Sequence, residues 1–208
     1  QGMVLKDGSK MSKSKGNTVD PDKIVKKYGA DTIRFFILFT APPEQNLEWS
    51  DSAIEGGHRF LRRFWRLSYS IKLSNLHSND VNDNKLLYKL NDTINKVTTD
   101  IFDRKSYNTA IAAIMEFYNL LSKYFEEKKI STDIASVCVQ TIAKLMYPIT
   151  PHISHAVLSE FDYKDSLNPE WPEKFDVGTY DEEIQIIIQI NGKLRSRLNV
   201  KLNLEKKE

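Results

Sequence analysis

Cysteine is almost missing from this sequence. The single one, Cys138, excludes an internal disulfide and offers no cysteine-based metal site. It lies in the apolar stretch IASVCVQTI, where a buried thiol is expected rather than a nucleophile. An excess of charge is missing too: 30 Lys and Arg against 28 Asp and Glu leave a formal charge of +2. No global field draws in nucleic acid, so any RNA contact must come from local basic patches. No signal peptide is expected from this reading, and these residues contain no apolar run long enough to span a bilayer. The expectation is a soluble chain of a reducing, cytoplasmic compartment with no membrane partner. A P-loop is also absent. Counted from Gly8, its second glycine would fall at Lys13, and the stretch contains no Gly-Lys-Ser/Thr.

What the sequence does have is material for a core. Its 208 residues, 40% of them hydrophobic, suffice for one good core or for a domain with an appendage. It begins at Gln1, and QGMVL reads as a strand already under way. It ends at NLEKKE, just after another strand pattern. A piece of something larger is expected.

The stretch KDGSKMSKSKGN carries Lys6, Lys10, Lys13 and Lys15, with Ser9, Ser12 and Ser14 between them and Gly8 and Gly16 towards its ends. No apolar period runs through it, which argues against a core helix or a half-buried strand. Glycine and serine make it a mobile loop rich in hydroxyl and backbone N–H donors. Ammonium groups beside hydroxyls suit a polyphosphate whose charge grows in a transition state. Such a loop can close over a triphosphate and leave with pyrophosphate. From composition alone, an idle solvated run is the usual reading of so short a basic stretch.

Downstream the patterning is helical. Asp20 as N-cap and Pro21 at the first helical position open a short helix that Gly29 closes. Asp31 is expected to cap the next one, whose apolar run Ile33–Phe39 should be largely buried. APPEQNLEW is a proline-marked break. Ser52 and Glu55 have capping-box spacing and open a long helix through AIEGGHRFLRRFWRLSYSIK. Further amphipathic helices follow. One carries Leu86, Leu87, Leu90, Ile94, Val97 and Ile101, the next Ile111, Ile114, Met115, Tyr118, Leu121 and Phe125, and a third Ile134, Val137, Ile142 and Leu145. YPITP breaks the last before a shorter helix from about Pro151 to Phe161. Antiparallel helices joined by short loops describe a bundle. Residues 162–182 are irregular and acidic and read as a linker or docking strap.

The period then changes to two. EIQIIIQI, NG and KLRSRLNVKL form a hairpin signature, with Asn191-Gly192 suited to a type I′ turn. A strict two-residue turn would put Arg195 and Arg197 opposite Ile188 and Ile186 on one face. Either the loop is one residue longer, or both faces are covered.

Three further groups bear on function. Arg59, Arg62, Arg63 and Arg66 stand at i, i+3, i+4 and i+7, so they share one narrow face, while Phe60, Phe64, Leu67 and Ile71 occupy another. That face either docks an anion such as nucleic acid or pairs with acidic neighbours elsewhere in the fold. His152 and His155 stand three apart in PHISH, a spacing a metal pair can use. No strand precedes them, no glycine separates them and no third ligand is in reach, so they read as structural. Trp49, Trp65 and Trp171 read as packing residues.

KMSKS, Lys10 to Ser14, resembles the second signature motif of the class I aminoacyl-tRNA synthetases. It continues into GNTVDP and KYGADTIRFFILF, which look like the stem-contact segment that follows that motif. APPEQNLEWSDSAIEGGHRFLRRFWRL, YNTAIAAIMEFYN, YPITPHISH and IQINGKLRSRL resemble successive segments of the leucyl-tRNA synthetases of bacterial type. Isoleucyl and valyl relatives share KMSKS but not this set together. The resemblance runs through essentially the whole chain, in order.

It implies a mainly α fold. A helix bundle, the class I synthetase anticodon-binding domain, is preceded by the KMSKS loop and stem-contact segment and followed by a β-hairpin opening a small α+β domain. The expected divisions are 1–50, 51–161, a linker at 162–182 and 183–208. The implied reaction activates leucine with ATP and transfers it to leucine tRNA. Lys13 stabilises the departing pyrophosphate and Lys10 assists; Met11, Ser12 and Ser14 complete the implied nucleotide-binding set. ATP with Mg2+ is substrate, and these residues by themselves bind no cofactor and no structural metal. Arg59 and Arg63 resemble tRNA-contacting arginines, with Arg62 and Arg66 beside them. Lys193, Arg195 and Arg197 would open a domain touching the tRNA body. In the leucine enzymes the anticodon-binding name describes a fold more than a reading of bases. The family's first signature, a His-x-Gly-His, does not occur, nor do a leucine pocket or an editing domain. These residues are expected to be inactive alone, to act as a monomer and to reach ATP and leucine through a catalytic half. They form either a separable tRNA-docking module or a piece whose basic groups act only when the rest aligns them. A helical protein–protein scaffold is the reading from another class.

Overall fold

The computed structural model describes residues 2–74, 82–177, 183–190 and 193–201. Their contacts fall into two units, Gln1–Phe175 and Asp176–Glu208. Among the described residues the first unit is mainly helical.

It opens with two short strands, β1 (Val4–Lys6) and β2 (Ser9–Lys10), paired antiparallel. Asp7 and Gly8 between them have φ of 53° and 69°, the sign a type I′ turn requires. β3 (Leu47–Glu48) lies parallel to β1, giving the order β2-β1-β3. The lysine-rich stretch is therefore not loop throughout. Its first half is a hairpin, and the Asp-Gly pair is the signal that composition and the missing apolar period obscure.

α1 (Pro21–Tyr28) starts as expected: the Asp20 carboxylate accepts from Asp22 N at 3.0 Å, with Pro21 at the first helical position. α2 (Ala30–Thr40) does not. Gly29 holds the N-cap position, and the Asp31 side chain serves a different helix. Nor is the run Ile33–Phe39 buried throughout. Phe35 and Phe36 are 2% exposed, but Ile37 is 45% and Phe39 38% exposed, because consecutive helical positions point round the axis and only one face meets the core. α3 (Asp51–Lys72) is capped two residues earlier than expected. Ser50 Oγ accepts from Ala53 N at 3.2 Å, while Glu55 accepts from Tyr28 Oη at 3.0 Å instead of reaching back. α2 packs on α3 at Gly57, where a Cβ would lie 3.0 Å from the Phe35 ring.

The bundle continues with α4 (Asn82–Thr98), a π-turn (Thr99–Asp103), α5 (Tyr107–Glu126), α6 (Thr132–Met146) and α7 (Pro151–Glu160). Phe60, Phe64 and Ile71 of α3 meet Leu86, Leu90 and Val97 of α4, Ile111, Ile114 and Leu121 of α5, and Ile142 and Leu145 of α6 in one core. On α6 the buried stripe is Ala135, Cys138, Val139 and Ile142, so Ile134 and Val137 are only half-buried. The lone thiol is a core group, as read.

The acidic segment after α7 is irregular and is strapped down. Asn91 accepts from Phe175 N at 2.8 Å and donates to Phe175 O at 2.9 Å. Trp171 Nε1 donates to Thr98 Oγ1 at 2.9 Å, with its ring edge-on to Phe102 at 5.1 Å.

In the second unit β4 (Glu183–Ile190) pairs antiparallel with β5 (Lys193–Lys201). Ile190 faces Lys193, which makes the connection two residues long, and Asn191-Gly192 itself lies outside the described residues. Neither alternative for the register is needed. An irregularity at Ile188/Gln189 leaves Arg195 as an extra residue in β5, and beyond it Ile188 faces Ser196, Ile186 faces Leu198 and Ile184 faces Val200. A bulge shifts the register by one, so Ile188, Ile186 and Ile184 meet Ser, Leu and Val, while Arg197 faces Ile187.

Candidate functional site

The lysine motif follows β2 directly. Met11 N donates to Val4 O at 3.0 Å, extending the hairpin by one bond. Lys13–Lys15 form a single 3-10 turn, which ends on Gly16 at φ 67° with Gly16 N on Lys13 O at 3.1 Å. Asn17 fastens the whole. Its Oδ1 accepts from Ser12 N at 2.9 Å, and its Nδ2 donates to Lys10 O at 3.3 Å and Lys6 O at 3.5 Å. Sequence reasoning passed over Asn17; an amide placed just past the αL Gly16 is the signal it carries.

Of the implied nucleotide-binding set, Lys10, Lys13 and Ser14 are exposed, and Met11 and Ser12 are half-buried. Ser12 Oγ and Ser14 Oγ stand 3.2 Å apart. No ion pair among the described residues engages Lys10, Lys13 or Lys15. The turn thus presents three ammonium groups on a backbone fixed by other atoms, an arrangement suited to a polyanion.

The arginine face is broader than its spacing suggests. Arg59, Arg62, Arg63 and Arg66 are all exposed, and none forms an ion pair among the described residues. They make a ridge with a hollow on either side. Arg62 and Arg66 border a pocket of about 560 Å³ that also includes Tyr28, His58, Trp65 and His152. Arg59 and Arg63 border a separate hollow of about 360 Å³ against Phe35, Phe39 and Met115. The i/i+4 pairs (59 with 63, 62 with 66) separate in this way because each pair tops one side of the helix. Burial pushes the Tyr118 hydroxyl up, opposed in part by the nearby Arg63 charge.

The histidines do not make a metal site. His152 Nδ1 meets Asp31 Oδ1 at 2.8 Å, while the other carboxylate oxygen accepts from Ile153 N at 2.7 Å. Asp31 therefore caps the start of α7, where Thr150 makes no capping bond of its own. His155 lies 3.5 Å from Ser159 Oγ. No group of three His, Cys, Asp or Glu side chains converges among the described residues. Arg34, which the sequence did not mark, donates from Nε to Ile149 O at 2.8 Å and from Nη2 to Pro148 O at 2.9 Å. Two neighbouring charged residues of α2 thus hold the α6–α7 corner.

On the hairpin, Arg195 is exposed at the bulge. Lys193 and Arg197 are described by backbone register alone, facing Ile190 and Ile187. No hydrogen bond or ion pair among the described residues joins the lysine turn to the arginine ridge. The two are separate cationic surfaces of one unit.

Residues 83–208 match the family described as the anticodon-binding domain of tRNA ligase, and residues 1–50 match the class I tRNA synthetases for I, L, M and V. The whole chain is 44% identical to part of the leucine–tRNA ligase of Marinomonas sp. (strain MWYL1), and 95% of it is 44% identical to part of that of Ruthia magnifica subsp. Calyptogena magnifica. It spans about a quarter of these relatives, 26% and 25% of their lengths. Among solved structures it resembles the ternary complex of Agrobacterium radiobacter K84 agnB2 LeuRS, tRNA and LeuAMS. The TM-score is 0.82 at 30% identity, over 99% of this chain and 27% of that one. It also resembles Mycobacterium tuberculosis methionyl-tRNA synthetase in complex with methionyl-adenylate. Here the TM-score is 0.63 at 25% identity, over 76% of this chain and 36% of that one.

Proposed function

The chain belongs to the family of anticodon-binding domains of tRNA ligases, and from that premise we propose that it works as part of a leucine–tRNA ligase. Two jobs fall to it there: steadying ATP's phosphates and docking leucine tRNA. The observation that carries this reading is the similarity to leucine–tRNA ligases along the whole chain, at 44% identity.

In the proposed reaction a leucine carboxylate oxygen bonds to the α-phosphorus of ATP. The bond from that phosphorus to the bridging oxygen breaks, and the electron pair leaves with pyrophosphate. Negative charge grows on the leaving group, and Lys13, with Lys10, supplies ammonium charge where it grows. Ser12 and Ser14 assist in positioning the phosphates, and Met11 completes the nucleotide-binding set. The leucyl group then passes to the terminal ribose of the tRNA, releasing AMP. Mg2+ would arrive with the phosphates, since the described residues offer no cluster of their own for it.

Arg59, Arg62, Arg63 and Arg66 serve as the tRNA-docking ridge. Exposed guanidinium groups on one helix, without ion-pair partners among the described residues, suit phosphates bidentately. Lys193, Arg195 and Arg197 add charge from the hairpin. The protein acts as a cytoplasmic monomer in this reading; no helix among the described residues is long and apolar enough to cross a membrane.

The test is binding to leucine tRNA and to an unrelated tRNA over a salt series, with and without Arg59→Ala plus Arg63→Ala. Leucine tRNA should bind better, and affinity should fall with log salt. The double variant should bind more weakly, with a log–log slope shallower by about 1–2. Equal weak binding of both tRNAs, with the variant behaving as wild type, would remove the docking role.

A further inference from the structure

We propose that Asn17 is a positioning residue for the leucine-activation step, setting where the ammonium groups of Lys10 and Lys13 meet the departing pyrophosphate. This deepens the ligase reading and rests on it.

The lysine side chains cannot place themselves. Lys10, Lys13 and Lys15 are exposed and have no ion-pair partner among the described residues. Each ammonium is carried on a flexible carbon stem, so the main chain beneath it decides the region it can reach. That main chain closes on itself through Lys15 N on Ser12 O at 3.2 Å and Gly16 N on Lys13 O at 3.1 Å. Both bonds stay inside the turn. They give it a shape but not a location.

Location comes from the sheet. β1 lies between β2 and β3, and Glu48 of β3 accepts from Gly8 N at the hairpin tip at 3.2 Å. Main-chain bonds carry this frame only as far as Met11, whose N–H donates to Val4 O at 3.0 Å. Asn17 spans the remaining gap. Its Nδ2 donates to Lys10 O at 3.3 Å and Lys6 O at 3.5 Å, the last residues of β2 and β1. Its Oδ1 accepts from Ser12 N at 2.9 Å, immediately before the 3-10 turn. Two carbonyls and one N–H meet this side chain, so it must donate and accept at once, as an amide does and a carboxylate does not. Loss of the amide frees the turn bearing Lys13 to shift against Lys10, and a misplacement of about 1 Å can cost on the order of 100-fold in rate.

The two steps of the reaction use these lysines unequally. In activation the bond from the α-phosphorus to the bridging oxygen breaks, and its electron pair leaves on pyrophosphate, where the lysines stand. In transfer a ribose hydroxyl oxygen bonds to the leucyl carbonyl carbon. AMP departs with the electron pair of the anhydride oxygen, and the hydroxyl proton is released. No pyrophosphate takes part. A positioning role therefore slows activation and spares transfer, whereas damage to the fold lowers both.

The test uses the full ligase that contains these residues. Leucine-dependent exchange of pyrophosphate into ATP reads activation, and a single turnover from supplied leucyl-adenylate to leucine tRNA reads transfer. Asn17→Ala should lower kcat for exchange about 100-fold while leaving KM for leucine and the transfer rate unchanged. In a Lys13→Ala background the same change should cost far less than in wild type, because Asn17 acts through that lysine. Asn17→Asp keeps the bond from Ser12 N and should show the same split with a smaller loss; it carries the test if Asn17→Ala does not fold. Wild-type exchange in Asn17→Ala overturns the proposal. So do equal losses of both steps in Asn17→Asp, or additive losses with Lys13→Ala. A wild-type enzyme without leucine-dependent exchange removes the ligase reading itself, and the proposal with it, which is a different result from any of these.

Discussion

At the scale of single residues, the most buried carboxylate among the described residues is Asp100, in the π-turn between α4 and α5. It is 1% exposed and accepts from Thr109 Oγ1 at 2.7 Å and Lys96 Nζ at 2.9 Å, with Arg104 at 3.6 Å. Burial alone would raise its pKa. The hydrogen bonds from Thr109 and Lys96, with the charges of Lys96 and Arg104, outweigh that and hold it below its ordinary 3.8. A carboxyl that is harder to protonate when folded stabilises the fold above the unfolded value, and loses that contribution as pH falls through the folded one. Asp100→Asn should therefore cost on the order of 2 kcal/mol at pH 7, since its partners are largely in solvent. The gap to wild type should close as pH drops below 3.8. Urea midpoints of both proteins between pH 7 and pH 2 check this; a constant gap would mean the carboxylate charge does not matter.

Asp31 belongs to the same scale but acts on an element far away in sequence. Asp31→Ala removes the acceptor for Ile153 N and the partner of His152, and should destabilise by roughly 2 kcal/mol. Asp31→Asn keeps an acceptor for the backbone bond and should cost less. Chemical denaturation of the two variants ranks them, and the reverse order would show the capping geometry to be unimportant.

At the scale of elements, what was legible in the sequence is what neighbours in the chain decide. Asp20 and Pro21 start α1 where expected, and the apolar positions of α4 and α5 face the core. The misreadings share a cause. Asp31 looks like a local cap because its partners, His152 and Ile153, lie 121 and 122 positions away. Ser52 and Glu55 have the right spacing, but Ser50 is also a good cap, and Tyr28 claims the glutamate. The four arginines of α3 follow one face, yet only their neighbours across the fold divide them between two hollows.

The hairpin shows the same limit in β form. The isoleucine period requires a register that the two-residue turn denies, and one extra residue in β5 reconciles them. Register can be read by cross-linking. Gln185→Cys with Asn199→Cys, a facing pair, should oxidise readily to a disulfide, whereas Gln185→Cys with Leu198→Cys should not. Mass spectrometry without reductant distinguishes them, and Cys138, buried in the other unit, stays out of the reaction. Preferential formation of the second pair would place the register without a bulge.

At the scale of the whole molecule, the chain is a quarter of the leucine–tRNA ligases it resembles, and its chemistry is partial in the same sense. In the proposed reaction the lysine turn stabilises a leaving pyrophosphate, but no His-x-Gly-His occurs within these residues. The 208 residues alone should give no leucine-dependent exchange of pyrophosphate into ATP; measurable exchange in an isotope assay would show a complete active site within them. The candidate site was legible where it is a linear motif, Lys10 to Ser14. It was not where it is assembled, as in the pocket that draws Tyr28, Trp65 and His152 together from three helices.

The Asn17 staple has a consequence for how such a turn can change over time. Asn17 grips only main-chain atoms: the carbonyls of Lys6 and Lys10 and the N–H of Ser12. The shape of the turn is thus written largely in one amide and Gly16, while the side chains of Lys13 and Lys15 carry none of it. Foldability and chemistry are stored at different addresses. Selection can retune the exposed lysines for another phosphate geometry without first negotiating with the fold, whereas a change at Asn17 alters every lysine's position at once.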